Sequence, residues 1–391
     1  MELSPSGTAC RGDNSMIDAP GPEGGRGGGH GAYRGGVHHA RFAAVRDRFH
    51  DLLAEGRETG AGLAIWYDGE PVVDIVGGER TPGRPWRADT LVNVYSVGKP
   101  LAALCLLLLV DRGRLGLDDP VAAHWPGFRA PATVRQVLDH TAGLPAFPVP
   151  RPAAAVGDWN LLCGDLAGAE PEWEPGSVAG EHAWTYGHLV GELVRRVDGR
   201  PVGRFLAEEI AGPWGLDLGF GLGEADQRRC ADLTYGDPGW PTRTASEPGS
   251  LRHRAVTNPA GGLDLAVLNS PLWRGAEVPA VNLHATATGL ARLYAGLLAG
   301  GTLDGVRLFS PDLVAEATRV QYDGDDLLLG RRTRWTLGMQ WEDDGSWGMG
   351  GLGGSCAWAD PVRGYAFAYV TARLADFDRV ETLVDALHDC L

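Results

Sequence analysis

The chain has 391 residues, of which 44% are hydrophobic and 22% charged, a composition typical of a globular protein with a buried core. Its formal net charge of −15 disfavours nucleic acid and anionic membrane surfaces as partners. The six cysteines are scattered without a C-x-x-C pair, which disfavours a disulfide framework or a zinc site. The longest apolar run, residues 101–110, is too short to span a bilayer, and no signal peptide is visible. We therefore expect no membrane partner and a cytoplasmic location.

The first 37 residues are rich in glycine, proline and serine, and we expect them to form a flexible tail. This region and its border carry His30, His38 and His39, but no carboxylate or thiol accompanies them. A solvated tail is therefore favoured over a metal site, and we predict no metal. Residues 38–391 are predicted to form the folded domain.

Strand patterns occur near both ends of this domain, and helical patterns lie between them. A helix is predicted over residues 41–54, followed by strands at 62–67 and 71–76 that Asp68-Gly69 joins as a hairpin. Further helices are predicted at residues 133–140, 186–197, 202–210, 285–298 and 311–319. The C-terminal part is predicted to form strands at 335–341, 355–359 and 365–371 and a final helix at 376–390. The pattern predicts an α/β (α+β) fold with an antiparallel sheet built from both termini, flanked by helices, and an inserted helical lobe at about 110–290.

Lys99 is the single lysine among 35 basic residues. Salt bridges, solubility and helix ends accept arginine equally well, but arginine cannot give up its proton. Ser96 precedes the lysine by three residues, and Pro100 suits the first turn of a helix, so both side chains share one helical face. Burial against the apolar run 101–110 lowers the pKa expected for Lys99 and lets it accept the serine proton. The pair is predicted to be the nucleophile and base of an acyl-transfer enzyme.

These residues open a series of blocks that resembles serine β-lactamases of the class C type, penicillin-binding proteins and their esterase and transacylase relatives. Residues 134–145 are similar to the family's L-x-x-H-T-S-G-L block, and Trp-Glu-Pro-Gly at 173–176 precedes a second catalytic element. The resemblance covers about residues 45–390. It implies a β-lactamase/transpeptidase-like catalytic domain at 38–391 that needs no cofactor.

Tyr186-Gly187-His188 matches the family's Tyr-x-Asn element. The resemblance implies that Tyr186 is the general base and acid, whereas the alternative is a packed aromatic ring with its hydroxyl on a backbone carbonyl. His188 stands in place of asparagine, and either a catalytic role or a place in the pocket wall is open to it. Trp273 belongs to a block at 269–282 that forms part of the cleft wall in the esterase branch.

The third element of the family corresponds to residues 347–355, where Met349 replaces the usual lysine or histidine. Methionine cannot bind the carboxylate of penicillins or of peptides ending in D-alanine, so β-lactamase and D-amino-acid peptidase activities are disfavoured. Gly351 lets a substrate lie close to the backbone, and the N–H groups of Ser96 and Leu352 are the expected oxyanion hole. The G-x-G-x-x-G pattern at 348–353 precedes a predicted strand, so a dinucleotide site is disfavoured.

We therefore expect a serine enzyme that takes a small-molecule ester or another activated acyl donor. With water as acceptor it is a carboxylesterase, and with an amine or alcohol it is a transacylase of the kind used in antibiotic biosynthesis. The alternative from another class is a non-catalytic binding protein that keeps the pocket without turnover.

Overall fold

The computed structural model describes residues 39–391, and the expected tail at residues 1–37 lies outside them. The strands are β1 Gly60–Tyr67, β2 Glu70–Thr81, β3 Arg84–Pro85, β4 Val92–Asn93, β5 Leu218–Gly219, β6 Thr234–Tyr235, β7 His284–Ala285, β8 Thr302–Leu303, β9 Val306–Arg307, β10 Tyr322–Asp326, β11 Arg331–Trp335, β12 Gln340–Trp341, β13 Trp347–Gly350, β14 Cys356–Asp360, β15 Tyr365–Thr371 and β16 Arg373–Leu374.

The helices of the described residues, short turns included, are α1 Ala43–Ala54, α2 Lys99–Asp111, α3 Val121–His124, α4 Val134–Leu138, α5 Trp159–Ala167, α6 Thr185–Asp198, α7 Val202–Leu206, α8 Gly212–Trp214, α9 Glu224–Gln227, α10 Trp240–Ala245, α11 Leu251–Thr257, α12 Leu265–Leu268, α13 Pro271–Gly275, α14 Ala287–Leu298, α15 Pro311–Thr318 and α16 Asp378–His388. Within residues 39–391, no helix combines the length and the hydropathy needed to cross a membrane.

The main sheet is antiparallel and has nine strands in the order β10-β11-β12-β13-β14-β15-β1-β2-β3. Its centre joins the two ends of the domain, because β1 pairs with β15 with Ala64 opposite Ala368. The β1–β2 hairpin turns at Asp68 and Gly69, whose φ angles of 50° and 83° fit a turn with two left-handed residues. The predicted α/β fold with a sheet from both termini is confirmed.

Helices cover both faces of this sheet, as the alternation of side chains along β1 requires. Leu63 and Ile65 point to one face and pack in a cluster with α1 and α16. Ala64 and Trp66 point to the other face and join the larger core, which contains α2 and α14. Eleven of the thirteen residues of α2 are buried, so this helix forms the interior between the sheet and the helical region around α6.

Two predicted elements differ from the structure. The strand predicted at 335–341 is interrupted, because Gly338 adopts a φ of 101° in a turn where the Thr336 N–H donates to the Met339 carbonyl. The helix predicted at 202–210 changes to a π-helical turn after Leu206. Cys105, Cys163, Cys230 and Cys356 are buried free thiols.

Candidate active site

The nucleophile lies at the start of α2, after a backbone conformation that few residues adopt. Tyr95 has φ 48° and ψ −128°, and its hydroxyl donates to the Gly262 carbonyl at 3.1 Å. A 3-10 turn at Ser96–Gly98 then leads into the helix. A Cβ at Gly98 would lie 2.8 Å from the Cβ of Leu283 and 2.9 Å from the Pro279 carbonyl oxygen, so only glycine fits there. This packing holds Ser96 in the wall of a cleft.

Lys99 is completely buried beneath the serine. Its Nζ donates to Ser96 Oγ at 2.7 Å and to the Ala280 carbonyl at 3.3 Å, and it lies 2.9 Å from Glu181 Oε1. These are three acceptors for the three N–H bonds of an ammonium group. Burial lowers the pKa of Lys99, and the Glu181 charge opposes that shift. The predicted serine–lysine contact is therefore present in the structure.

Glu181 is the third member of this group, and the sequence interpretation missed it. It lies just before α6, where its own N–H donates to Asp326 Oδ1 at 3.2 Å and the neighbouring Ala179 carbonyl accepts from Leu327. The side chain lines the cleft next to Ser96. As one of 50 acidic residues it carries no compositional signal. The one available sequence signal was its position five residues before Tyr186, in the segment that leads into the same helix.

Tyr186 does not lie with this group, contrary to the role expected from the resemblance. Its hydroxyl donates to the Leu138 carbonyl at 3.3 Å, and its ring packs on His140 with 4.6 Å between ring centroids. The side chain is fully buried and is not part of the cleft lining. Burial first, and then the charge of Asp139, raise the pKa of Tyr186 well above its usual value. Its environment is that of the packed aromatic alternative.

His188 and Trp273 also lie outside the cleft lining, so the wall positions expected for them are corrected. The His188 ring stacks on Trp159, with 4.7 Å between centroids, and burial lowers its pKa to about 4. Trp273 is buried behind the wall, where its Nε1 donates to Asn93 Oδ1 at 2.8 Å and its ring meets Trp184 edge-on.

The third element lies where the sequence places it. Met349 and Gly351 line the cleft, and a Cβ at Gly351 would lie 2.2 Å from the Val94 carbonyl oxygen. Leu352 also lines the cleft, and within the described residues neither its backbone N–H nor that of Ser96 has a hydrogen-bond acceptor. An oxyanion hole needs two N–H groups without another acceptor beside the nucleophile, and these two residues both line its cleft.

The cleft has a volume of about 280 Å³ and walls that are mainly apolar. Val281, from the block at 269–282 expected in the wall, lines the cleft. Residues that the sequence interpretation did not place in it are Ala183, Trp240, Thr244, Arg252, Val256, Leu328, Leu329, Arg331, Gln340, Ala375 and Phe377. Several come from the helical region, whose fold the sequence predicts only coarsely. Across residues 39–391 no group of three or more His, Cys, Asp or Glu side chains is arranged to hold a metal.

A buried arginine holds the loop that follows β13. The Arg379 guanidinium donates to the Gly353 carbonyl at 2.9 Å and to Glu58 Oε2 at 2.5 Å. Gly353 and Gly354 have φ angles of 92° and 104°, and a Cβ on either would lie less than 3 Å from neighbouring atoms. The position of the Leu352 N–H therefore depends on an ion pair between α16 and the segment before β1.

The nucleophile at the start of a buried helix, the lysine beneath it and the antiparallel sheet beside it define a serine enzyme of the β-lactamase type. The Beta-lactamase family model matches residues 45–389, and the chain belongs to this family. It is 35% identical over 356 residues to Esterase/beta-lactamase LipL of Mycobacterium tuberculosis, covering 85% of this chain and 82% of that protein.

Solved structures agree with this assignment. A family VIII carboxylesterase superposes with a TM-score of 0.84 at 32% identity, covering 91% of this chain and 99% of the other. A penicillin-binding protein homologue from Caulobacter crescentus gives a TM-score of 0.80 at 38% identity with the same coverage. The expected β-lactamase/transpeptidase-like fold and family are confirmed.

Proposed function

We propose that the protein is a carboxylesterase that works through an acyl-enzyme on Ser96. The observation that carries the proposal is the contact series from Ser96 Oγ to Lys99 Nζ to Glu181 Oε1, at 2.7 and 2.9 Å, which lies at a mainly apolar cleft. The relatives named as an esterase and a carboxylesterase support it. Such a cleft accepts the apolar part of an ester, and the serine attacks its carbonyl carbon.

Lys99 accepts the proton of the serine after it has given a proton of its own to Glu181. Burial of Lys99 favours its neutral amine, and Glu181 Oε1, 2.9 Å away, is the acceptor within reach for the proton that the lysine gives up. The neutral amine then takes the proton from Ser96 Oγ as the oxygen bonds to the ester carbonyl. The same proton returns to the leaving alcohol, and the route repeats when water cleaves the acyl-enzyme.

The negative charge of the tetrahedral intermediate rests on the backbone N–H groups of Ser96 and Leu352. Both residues line the cleft, and neither N–H has a competing acceptor among the described residues. Because these donors are fixed by the backbone, they need little rearrangement as the charge develops. Met349 supplies an apolar wall beside them.

Transfer of the acyl group to an amine or alcohol, as in antibiotic biosynthesis, stays a prediction from the sequence, and so does a cytoplasmic location. A transacylase and an esterase share the acyl-enzyme and differ in the second nucleophile. The absence of a cation at position 349 still speaks against β-lactams and D-amino-acid peptides as main substrates.

The test is active-site labelling combined with turnover. Wild type and Ser96→Ala are incubated with a fluorophosphonate and with a nitrophenyl ester. A phosphonyl adduct on Ser96, and ester cleavage lost in the alanine variant, are expected. Equal labelling of both proteins, or no adduct in either, would sink the proposal in favour of a binding protein. Adding a panel of amines and measuring amide by mass spectrometry separates a transacylase from an esterase.

A further inference from the structure

The walls of the cleft carry an excess of positive charge, although the whole chain has a net charge of −15. Among residues 39–391, three side chains that are charged at neutral pH line the cleft, namely Glu181, Arg252 and Arg331. The carboxylate of Glu181 is matched by the buried ammonium of Lys99. Two guanidinium groups are left over, and arginine keeps its charge in any surroundings.

Arg252 on α11 has no carboxylate partner within the described part of the chain. Its Nε donates to the Thr244 carbonyl at 3.4 Å, and it is half-buried. Arg254, two residues along the same short helix, binds both oxygens of Glu172 at 2.7 Å. The helix therefore uses one arginine for an ion pair outside the cleft and leaves the other one in the cleft wall without a carboxylate partner.

Arg331, at the start of β11, is the second arginine of the cleft wall and is exposed. The next residue, Arg332, binds Asp323 at 2.7 and 2.9 Å, but no carboxylate of the described residues pairs with Arg331. Asp326 lies opposite it in the strand register. That carboxylate is occupied by the indole N–H of Trp335 and by backbone N–H groups.

A second cavity adjoins the cleft, and Arg331, Met349 and Phe377 line both. The second cavity also contains the carboxylates Glu342, Asp344, Glu381 and Asp385, of which Asp344 pairs with Arg363 at 3.3 Å. Arg331 therefore lies at the border between an acidic cavity and the cleft, and on the Ser96 side it acts together with Arg252 to favour an anion.

The remaining wall determines what kind of anion fits. Trp184, Trp240 and Phe377 are aromatic residues that line the same cleft as the two arginines and the serine. A small hydrated ion gains nothing from such surfaces, whereas an organic carboxylate buries its apolar body there. The planar guanidinium group matches the two oxygens of a carboxylate.

We propose that the ester hydrolysed by this enzyme carries a free carboxylate, which Arg252 and Arg331 bind while the ester carbonyl lies at Ser96. This inference rests on the proposed esterase function and names its substrate class.

Two pairs of esters test the proposal, each with and without the carboxylate. Monoethyl adipate against ethyl hexanoate places the charge on the acyl side, and para-acetoxybenzoate against para-acetoxybenzamide places it on the leaving group. In at least one pair, wild type is expected to prefer the anionic member. In the double variant Arg252→Gln/Arg331→Gln, kcat/KM for that ester falls by about tenfold or more, while the neutral ester changes by less than about twofold.

Matched controls come from the same elements. Arg254→Gln and Arg332→Gln remove one charge each from α11 and β11 but leave the ratio of anionic to neutral turnover unchanged. An unchanged ratio in the double variant, or no preference in either pair, overturns the proposal. Calorimetric titration of para-acetoxybenzoate into Ser96→Ala measures the same preference without turnover. If para-acetoxybenzoate binds to Ser96→Ala in a way that depends on the two arginines, but wild type does not hydrolyse it, the result contradicts the esterase function and supports the anion site.

Discussion

The carboxylate of Glu181 lies 2.9 Å from the ammonium of Lys99, in the place where the family resemblance predicts a tyrosine hydroxyl. A carboxylate differs from a phenol in that it is normally charged at neutral pH. The carboxylate stabilises the charged lysine in the resting enzyme, and it can also receive the proton that the lysine must lose before Ser96 is activated.

Glu181→Gln keeps the size of the side chain and a hydrogen bond to Lys99 but removes the proton acceptor. We expect kcat for a nitrophenyl ester to fall by about 10²-fold or more, because general base catalysis contributes this much. Steady-state kinetics with active-site titration measures the change. Glu172→Gln, which removes an exposed carboxylate paired with Arg254, is the control and keeps full activity. A fully active Glu181→Gln enzyme would exclude the proton route through the carboxylate.

Tyr186→Phe removes only the hydroxyl that donates to the Leu138 carbonyl. Activity is expected to stay within about twofold of wild type, and the free energy of unfolding to fall by about 1 kcal/mol, the value of one hydrogen bond. Ester kinetics and urea denaturation check the two numbers separately. Loss of activity on the scale seen for Ser96→Ala would restore the catalytic role expected from the resemblance.

Lys99→Arg keeps the positive charge at a buried position but removes the ability to exchange a proton. Because arginine does not deprotonate, Ser96 is expected to lose reactivity towards a fluorophosphonate. Intact-mass spectrometry measures the labelling rate, and circular dichroism verifies that the variant is folded. Lys99→Met, which removes the charge as well, gives a second comparison. Labelling of both variants at the wild-type rate would show that the lysine is not the proton acceptor.

Arg379→Met breaks the buried ion pair with Glu58 and releases the Gly353 carbonyl. The free energy of unfolding is expected to fall by about 3–5 kcal/mol, because Glu58 is left buried without its partner. In the folded fraction, kcat falls more than KM rises, since the Leu352 N–H loses its fixed position. Urea denaturation and kinetics below the unfolding midpoint measure both effects. Glu58→Gln/Arg379→Met, which leaves no buried charge, recovers part of the stability but not kcat.

Stability is expected to fall steeply in mild acid because four buried histidines are held neutral. Burial lowers the pKa of His182 and His284 to about 3 and that of His188 to about 4, and it lowers the pKa of His140 as well. Their pKa in the unfolded chain is 6.5, so below that pH the unfolded state binds protons that the native state does not. The part of the free energy of unfolding that depends on neutral burial of these histidines is fully present above pH 6.5. It is lost as the pH falls towards 4.

Each histidine contributes a slope of about 1.4 kcal/mol per pH unit in that range. Urea midpoints measured between pH 7.5 and 5 test this, and His188→Phe should reduce the slope by one such unit. A free energy of unfolding that does not change over this interval is incompatible with neutral burial of the four rings.

The sequence was a good guide to features that depend on local spacing. Ser96 and Lys99 are three residues apart at the start of one helix, so their contact follows from helical geometry. The hairpin at Asp68-Gly69 follows from turn chemistry, and strands at both ends with helices between them predicted the main sheet. The strand predicted at 365–371 has the same bounds in the structure.

Features that depend on the packing of distant segments could not be predicted in the same way. Glu181 reaches Lys99 because its segment is fixed by Asp326, which is 145 residues further along the chain. Tyr186 occurs in the expected motif, but its position on α6 directs it towards His140. His188 is turned into the core in the same way, and no local pattern distinguishes that orientation from one that faces the cleft.

The place of β1 in the main sheet affects how the chain can be made. Its hydrogen-bonding partner β15 is synthesised about 300 residues later, so during translation one edge of the β1–β2 hairpin stays open for nearly the whole elongation period. An uncovered apolar edge of this kind invites pairing with other chains. Aggregation is therefore expected mainly during overexpression, when chains are made faster than chaperones can cover that edge. Slower synthesis at low temperature should raise the yield of native enzyme.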